Sequence, residues 1–311
     1  MRIVFLTFVH LILISSSFAK WPDKSRTNIK NNTFTLYANH DLVFNKDIEK
    51  IIITIHGSAR NPDTYFKSVW GLSKKYGVES STLVVAPHFK AAGDKLVKKE
   101  LSFSYEGWWI GNNSLKSKVS AFTVMDELVK KLDRRLFPNL KSVYIAGHSA
   151  GGHFTQRYAL SSKIELQYPG INFKYIVANP GTYAYLTNKR PNFVFGGYEV
   201  PRYVRCAYNN YKWGLDNLNQ YLSLDSKDNM IDRFINRDVI YFLGENDTGD
   251  VEQSCQAQYQ GPNRFVRGVK FKGHVDFEYP NNVHQLITVP GVGHTQFGMY
   301  TSEIGKRLLF M

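Results

Sequence analysis

The chain has 311 residues, 43% of them apolar and 21% charged, which excludes a disordered tail, a collagen-like rod and a multi-span membrane protein. Lysine and arginine number 39 against 26 acidic residues, a formal charge of +13, so nucleic acid, anionic lipid and polyanionic glycan all enter as partners to be weighed. Only two cysteines are present, Cys206 and Cys255, which excludes a disulfide-stapled scaffold and leaves room for one bridge.

Arg2 is followed by a mostly apolar run over 3–14 and then by Ser15, Ser16, Ser17, Phe18 and Ala19, with small residues where signal peptidase reads. Residues 1–19 are expected to be a cleaved signal peptide, and 20–311 a single exported domain. The apolar run is too short to span a bilayer comfortably and no cysteine follows it to carry a lipid, so release is expected rather than anchoring. In an oxidising compartment Cys206 and Cys255 are expected to pair.

Past a polar stretch, the β-branched run 51–55 reads as a strand buried on both faces and ends at His56-Gly57. Asn61-Pro62-Asp63 supplies a helix start with a capping side chain, a proline at the first helical position and an acid near the positive end. Phe66, Val69 and Trp70 give that helix its apolar stripe, and Gly77 stops it. A second strand, 82–86, closes at Pro87. After a loop holding Trp108 and Trp109, the spacing of Phe122, Met125, Val129, Leu132 and Leu136 predicts an amphipathic helix. A strand over 142–146, a helix over 150–161 and a strand over 175–178 follow. Strands at 239–243 and 286–289 and a terminal helix near 301–309 complete the pattern. Strands alternating with helices predict an α/β fold, a mostly parallel sheet with helices on both faces. Residues 181–237, rich in tyrosine and without strand periodicity, read as an insertion over the carboxyl end of that sheet, where ligands bind.

The strand at 142–146 runs into Gly147-His148-Ser149-Ala150-Gly151, a G-x-S-x-G elbow that exposes a serine hydroxyl between strand and helix. A serine nucleophile needs a base and an orienting acid, which in such folds follow in the order serine, acid, histidine. Asp247, in the turn after strand 239–243, is the acid; Glu245 and Asp250 are its rivals. His294, in the glycine-bearing loop after strand 286–289, is the base. His274 has no strand leading into it, and His148 and His153 are expected to line or support the site. The oxyanion of a tetrahedral intermediate needs preorganised donors. These are the backbone N–H of Ala150 and that of Ser58 after the first strand, with Ala59 in reserve.

His56-Gly57, the 147–151 elbow, Gly244-Glu245-Asn246-Asp247 and Gly293-His294 together resemble the α/β-hydrolase superfamily over nearly the whole mature chain. More narrowly, 56–61, 206–221 and Cys255 with 260–264 are similar to a group of secreted bacterial and fungal hydrolases of poorly defined substrate. The resemblance implies the α/β-hydrolase fold, the three catalytic roles and the two oxyanion donors, but no substrate.

His148, Trp108, Trp109 and Tyr183 are candidates for substrate contact. Tyr183, Tyr185, Tyr208, Tyr211, Trp213 and Tyr221 either form an aromatic cap over the substrate or pack the insertion's own core. Asn31, Asn112 and Asn246 begin glycosylation sequons, and a glycan at Asn246 would obstruct the acid. The lysines are dispersed, which argues against a nucleic-acid groove and for a basic surface suited to an anionic membrane, envelope or glycan. No H-E-x-x-H and no dinucleotide fingerprint is present, so no metal or other cofactor is expected. The expected function is a secreted serine hydrolase acting on a small-molecule or lipid ester. A peptidase, thioesterase or acyltransferase on the same machinery stands as the alternative, and a non-catalytic binding protein as the alternative of another class.

Overall fold

In the inner strands of the central sheet, successive residues face opposite layers and both layers are apolar, so these strands read as nearly continuous hydrophobic runs. The computed structural model describes residues 24–249 and 252–311; the expected signal peptide, 1–19, and Asp250 lie outside the described residues. One sheet has eight strands in the order β1 (Lys24–Ile29), β2 (Asn32–Ala38), β4 (Thr82–Pro87), β3 (Lys50–Ile55), β5 (Ser142–His148), β6 (Asn172–Ala178), β9 (Asp238–Gly244) and β10 (Gln285–Val289). From β4 to β10 every pairing is parallel, while β1–β2 and β2–β4 are antiparallel.

The register separates the two cores. Ile52, Val84, Ile176, Ile240 and Phe242 face α1 (Pro62–Lys75), α7 (Gln296–Thr301) and α8 (Glu303–Phe310). Ile51, Ile53, Val85, Val177 and Tyr241 face the other layer, built from α2 (Ala121–Lys131), α3 (Ala150–Ser161), α4 (Lys227–Ile235) and α6 (Arg264–Glu278). The chain leaves β3 toward β4 on one side and returns past it to β5 on the other. That reversal opens a crevice beyond the carboxyl ends of β3 and β5.

The sequence reading differs from the structure at six places. Helix α2 ends at Lys131, short of the Leu132 and Leu136 read into it. The stretch before β3 is an edge hairpin, turned through Lys30 and Asn31, both at positive φ as a tight two-residue turn requires. Asn61 precedes α1 without a side-chain cap bond, leaving Pro62 and Asp63 as the start signals. The terminal helix read near 301–309 is α8, and a further short helix, α7, precedes it, parted from it at Ser302, whose hydroxyl accepts from Gly305 N–H. Helix α6 went unread because its buried face carries Arg267, Gly268 and His274 beside Phe271 and Val275, which breaks the apolar period. Helix α4, inside the span read as insertion, packs against α3 as part of the main layer.

The remainder of that insertion holds a two-stranded ribbon, β7 (Arg190–Pro191) with β8 (Tyr198–Glu199), and is tied down by buried arginines that collect main-chain carbonyls. Arg157 donates to Thr182 O and Lys212 O, Arg190 to Tyr208 O and Trp213 O, and Arg267 to Gly181 O and Glu252 O. The Arg190 guanidinium is also sandwiched by the rings of Tyr185 and Tyr208, 4.3 and 4.8 Å from their centroids. Irregular backbone is thereby hydrogen-bonded without a sheet. The short helix α5 (Cys255–Gln258) is joined to the insertion by the Cys206–Cys255 disulfide. This bridge closes a loop of 49 residues, and its removal by Cys206→Ser with Cys255→Ser is expected to cost up to about 4 kcal/mol on chain-entropy grounds. Urea unfolding of the double variant reads that loss; an unchanged midpoint would show that the loop is held without the bridge.

Candidate active site

β5 delivers its chain into the crevice through Ser149, which takes φ +60° and ψ −118° and opens α3. A non-glycine residue in that region is strained by roughly 1–3 kcal/mol and persists only where its surroundings enforce it. The enforcement is close packing. A β-carbon on Gly147 would lie 2.0 Å from Gly151 O, and one on Gly151 would lie 2.2 Å from Ile55 O. The backbone of Ser149 is fixed from behind by its N–H bond to Ala178 O at 3.0 Å.

The Ser149 hydroxyl lies 2.9 Å from His294 Nε2, and His294 Nδ1 lies 2.7 Å from Asp247 Oδ2. Three loops after three different strands therefore converge on one hydrogen-bonded chain. Asp247 is 2% exposed, and its second oxygen accepts from Arg264 Nη1 at 3.2 Å. Asp247 O accepts from Phe265 N–H, so the first residues of α6 hold the acid loop through both side chain and backbone. Arg264 falls in the 260–264 stretch singled out by the narrower resemblance, which implies no role for it; Asn263 beside it caps α6, its side chain accepting from Val266 N–H. Glu245, the rival acid, accepts from Thr288 Oγ1 at 2.8 Å instead, and its other rival Asp250 lies outside the described residues.

Ala150 N–H is at the first position of α3, where no carbonyl lies one turn before it to accept within the helix. Ser58 stands opposite, after β3, and both residues line the same cleft. The loop carrying Ser58 is braced by His56, which faces Gly57 O through Nδ1 at 2.9 Å and accepts from Phe89 N–H through Nε2 at 3.1 Å. These partners define a neutral imidazole, and burial pushes its pKa down to about 3. The cleft has a volume of about 520 Å³; Trp109, Trp213 and Tyr105 supply its aromatic walls, and the Lys212–Glu106 ion pair, at 2.7 Å, lies across it.

Three of the candidates for substrate contact are placed elsewhere. Trp108 is wholly buried, stacked on Phe89 and 4.5 Å from the His56 ring, so it supports the Ser58 loop from within the core. Tyr183 is wholly buried and stacked on Phe271 at 4.6 Å. His148 lies behind His294, ring centres 4.7 Å apart, with Tyr65 and Asn179 at its nitrogens. Burial, then the neighbouring His294 and Arg264 charges, hold its pKa well below the usual value. Trp109 does face the cleft. His153 is in the wall, its Nε2 accepting from Gly181 N–H, and His274 packs in α6 against Tyr185, away from the serine. Tyr185, Tyr211 and Tyr221 are likewise spent on packing and on bonds to Ile110 O and Asp126. Among the described residues no cluster of histidine, cysteine and carboxylate side chains is arranged to hold a metal ion.

The sheet order, the serine elbow after β5 and the histidine loop after the last strand define the α/β-hydrolase fold, and the chain has it. Among solved structures it is similar to LpqC, a poly(3-hydroxybutyrate) depolymerase from Bordetella parapertussis, with a TM-score of 0.65 and 20% identity over 93% of this chain and 91% of that one. It is also similar to poly(aspartic acid) hydrolase-1 from Sphingomonas sp. KT-1, with a TM-score of 0.63 and 18% identity over 93% of this chain and 99% of the other. No family model matches the chain, and no curated protein matches it in sequence.

Proposed function

We propose that the protein is an exported serine hydrolase that cleaves carboxylic esters through an acyl-enzyme. The observation that carries this reading is the unbroken chain Ser149–His294–Asp247 on a strained elbow at the mouth of a cleft. Ser149 Oγ attacks the ester carbonyl while His294 Nε2 takes its proton, and Asp247 holds the proton on Nδ1 and steadies the imidazolium. The Ala150 and Ser58 N–H groups receive the oxyanion. His294 then protonates the departing alcohol, and a water activated by the same nitrogen releases the acid. The hydrolase names of the two structural neighbours are in keeping with this chemistry, and the disulfide is in keeping with export.

Labelling of the folded protein by a fluorophosphonate at Ser149 is expected, together with hydrolysis of p-nitrophenyl esters. A chain-length series, run beside peptidyl and thioester substrates, reads the acyl preference. Labelling with peptidyl or thioester hydrolysis but no ester turnover, or neither labelling nor turnover, would overturn the ester reading.

A further inference from the structure

The ribbon of the insertion ends in a loop whose apolar side chains point away from the protein. Phe193, Val194 and Phe195 are exposed, Val194 by 81% and Phe195 by 88%, and Val200, Tyr203 (90%) and Val204 continue the patch along the same segment. Six exposed apolar or aromatic residues within twelve positions are unusual beside a protein of ordinary composition. The loop is also held stiff. Asn192 Oδ1 accepts from both Val194 N–H and Phe195 N–H, Asn192 N–H donates to Gly197 O, and Gly196 and Gly197 take the positive φ of the turn. The apolar tip is thus presented by a built turn and does not fold back onto the core.

The charge around this tip is predominantly positive. Arg202 and Arg205 are exposed on the same segment, and Lys270 of α6 reaches over the Phe193 ring at 5.6 Å. Glu199 is the one acid between 192 and 205, and it is engaged with Asn192. Apolar side chains that enter the acyl boundary, flanked by arginines at headgroup level, are the arrangement of an interfacial anchor on an anionic bilayer. The anchor adjoins the cleft. Arg205 precedes Cys206, whose disulfide partner Cys255 follows Ser254 in the cleft wall, and Tyr259 of the same region donates to Tyr203 O.

We propose that residues 193–205 form a docking surface for anionic lipid membranes, placing the mouth of the Ser149 cleft beside the lipid surface. This goes beyond the hydrolase reading and is independent of it, since binding needs no turnover.

The test uses the full mature chain carrying Ser149→Ala, so that binding is read without catalysis. Co-sedimentation with phosphatidylglycerol vesicles is expected at low salt, with far weaker partition onto phosphatidylcholine. Phe193→Ser with Phe195→Ser should lower partition at least about tenfold through lost apolar insertion. Arg202→Gln with Arg205→Gln should lower partition onto phosphatidylglycerol by roughly 25-fold and leave that onto phosphatidylcholine unchanged. All these positions are exposed, so circular dichroism and Tm should be unchanged. Equal binding by the wild-type tip and the serine variant would overturn the proposal. So would a wild-type dimer in sedimentation velocity that Phe195→Ser dissociates, which would mean a second copy covers the patch, or binding confined to a water-insoluble polyester film.

Discussion

Replacing Ser149 with alanine is expected to lower kcat for the best p-nitrophenyl ester by roughly 10⁴- to 10⁶-fold, with the fold intact. In the proposed mechanism the hydroxyl is the group that bonds to the acyl carbon, and its nearest partner is His294 Nε2 at 2.9 Å. The oxyanion donors and the cleft would remain, so KM should change little and the residual rate should still exceed that in water. Alanine keeps the strained φ of +60° that Gly147 and Gly151 impose from both sides, so thermal stability should be close to that of the parent. Asp247→Asn tests the same chain one link further on. An amide at that position presents an N–H where Nδ1–H needs an acceptor, turns His294 to the wrong tautomer, and should cost kcat about 10⁴-fold. In both variants circular dichroism establishes folding and the kcat-against-KM split reads the defect. A Ser149→Ala protein that turned over normally would remove the serine from the mechanism altogether.

The residues of this chain were legible in the sequence because they sit where strand order and turn chemistry are local. The elbow needs glycine on both sides of Ser149, and the acid and base each follow an apolar run ending in a glycine-bearing turn. The fold class was legible for the same reason, since the parallel strands are continuous apolar runs. What was not legible depends on tertiary partners. Helix α6 hides its buried face behind Arg267 and His274, which become core residues only because carbonyls of Gly181, Glu252 and Gly261 or aromatic rings surround them. Arg264 gains its role from a carboxylate 17 positions away. Trp108 and Tyr183 are chemically suited to either a substrate or a core, and only packing decides between them. Part of the cationic excess was misleading too. Arg157, Arg190 and Arg267 serve as internal hydrogen-bond hubs for the cleft walls, so they contribute no basic surface.

The buried histidines lead to a second large effect, on stability rather than rate. Among the described residues, His56, His148, His153, His274 and His284 are buried with pKa values pushed down, to about 3 for His56 and His274 and about 4 for His284. Burial is the first cause in every case. The hydrogen bonds of His56 and His284 fit the same neutral state: His284 Nε2 faces Phe234 O at 2.6 Å while Nδ1 faces the Tyr241 hydroxyl at 2.8 Å. An unfolded chain binds these protons near pH 6.5, and the folded chain does not. Below pH 6.5 the unfolded state therefore holds more protons, and stability falls as pH falls. Half-buried His88 is likewise pushed down to about 4, first by burial. At pH 5.5 each such histidine costs about 1.3 kcal/mol relative to neutral pH, and six cost roughly 7–8 kcal/mol, comparable with the whole stability of an ordinary domain. The carboxylates held low by hydrogen bonds, such as Asp225 and Asp276, lose their contribution only below the usual carboxylate range, well under this window. Asp126, a half-buried carboxyl whose pKa is raised by desolvation, opposes the trend with a single group. Tm is thus expected to be flat from pH 8 to 7 and to drop by roughly 10–15 °C by pH 5.5. Calorimetry in buffers of different ionisation enthalpy should find uptake of about five protons on unfolding at pH 5.5. His284→Gln, away from the cleft, should remove about one of them. A Tm that held constant down to pH 5 would mean that these rings carry charge inside the folded protein, against the bonds His56 and His284 make there.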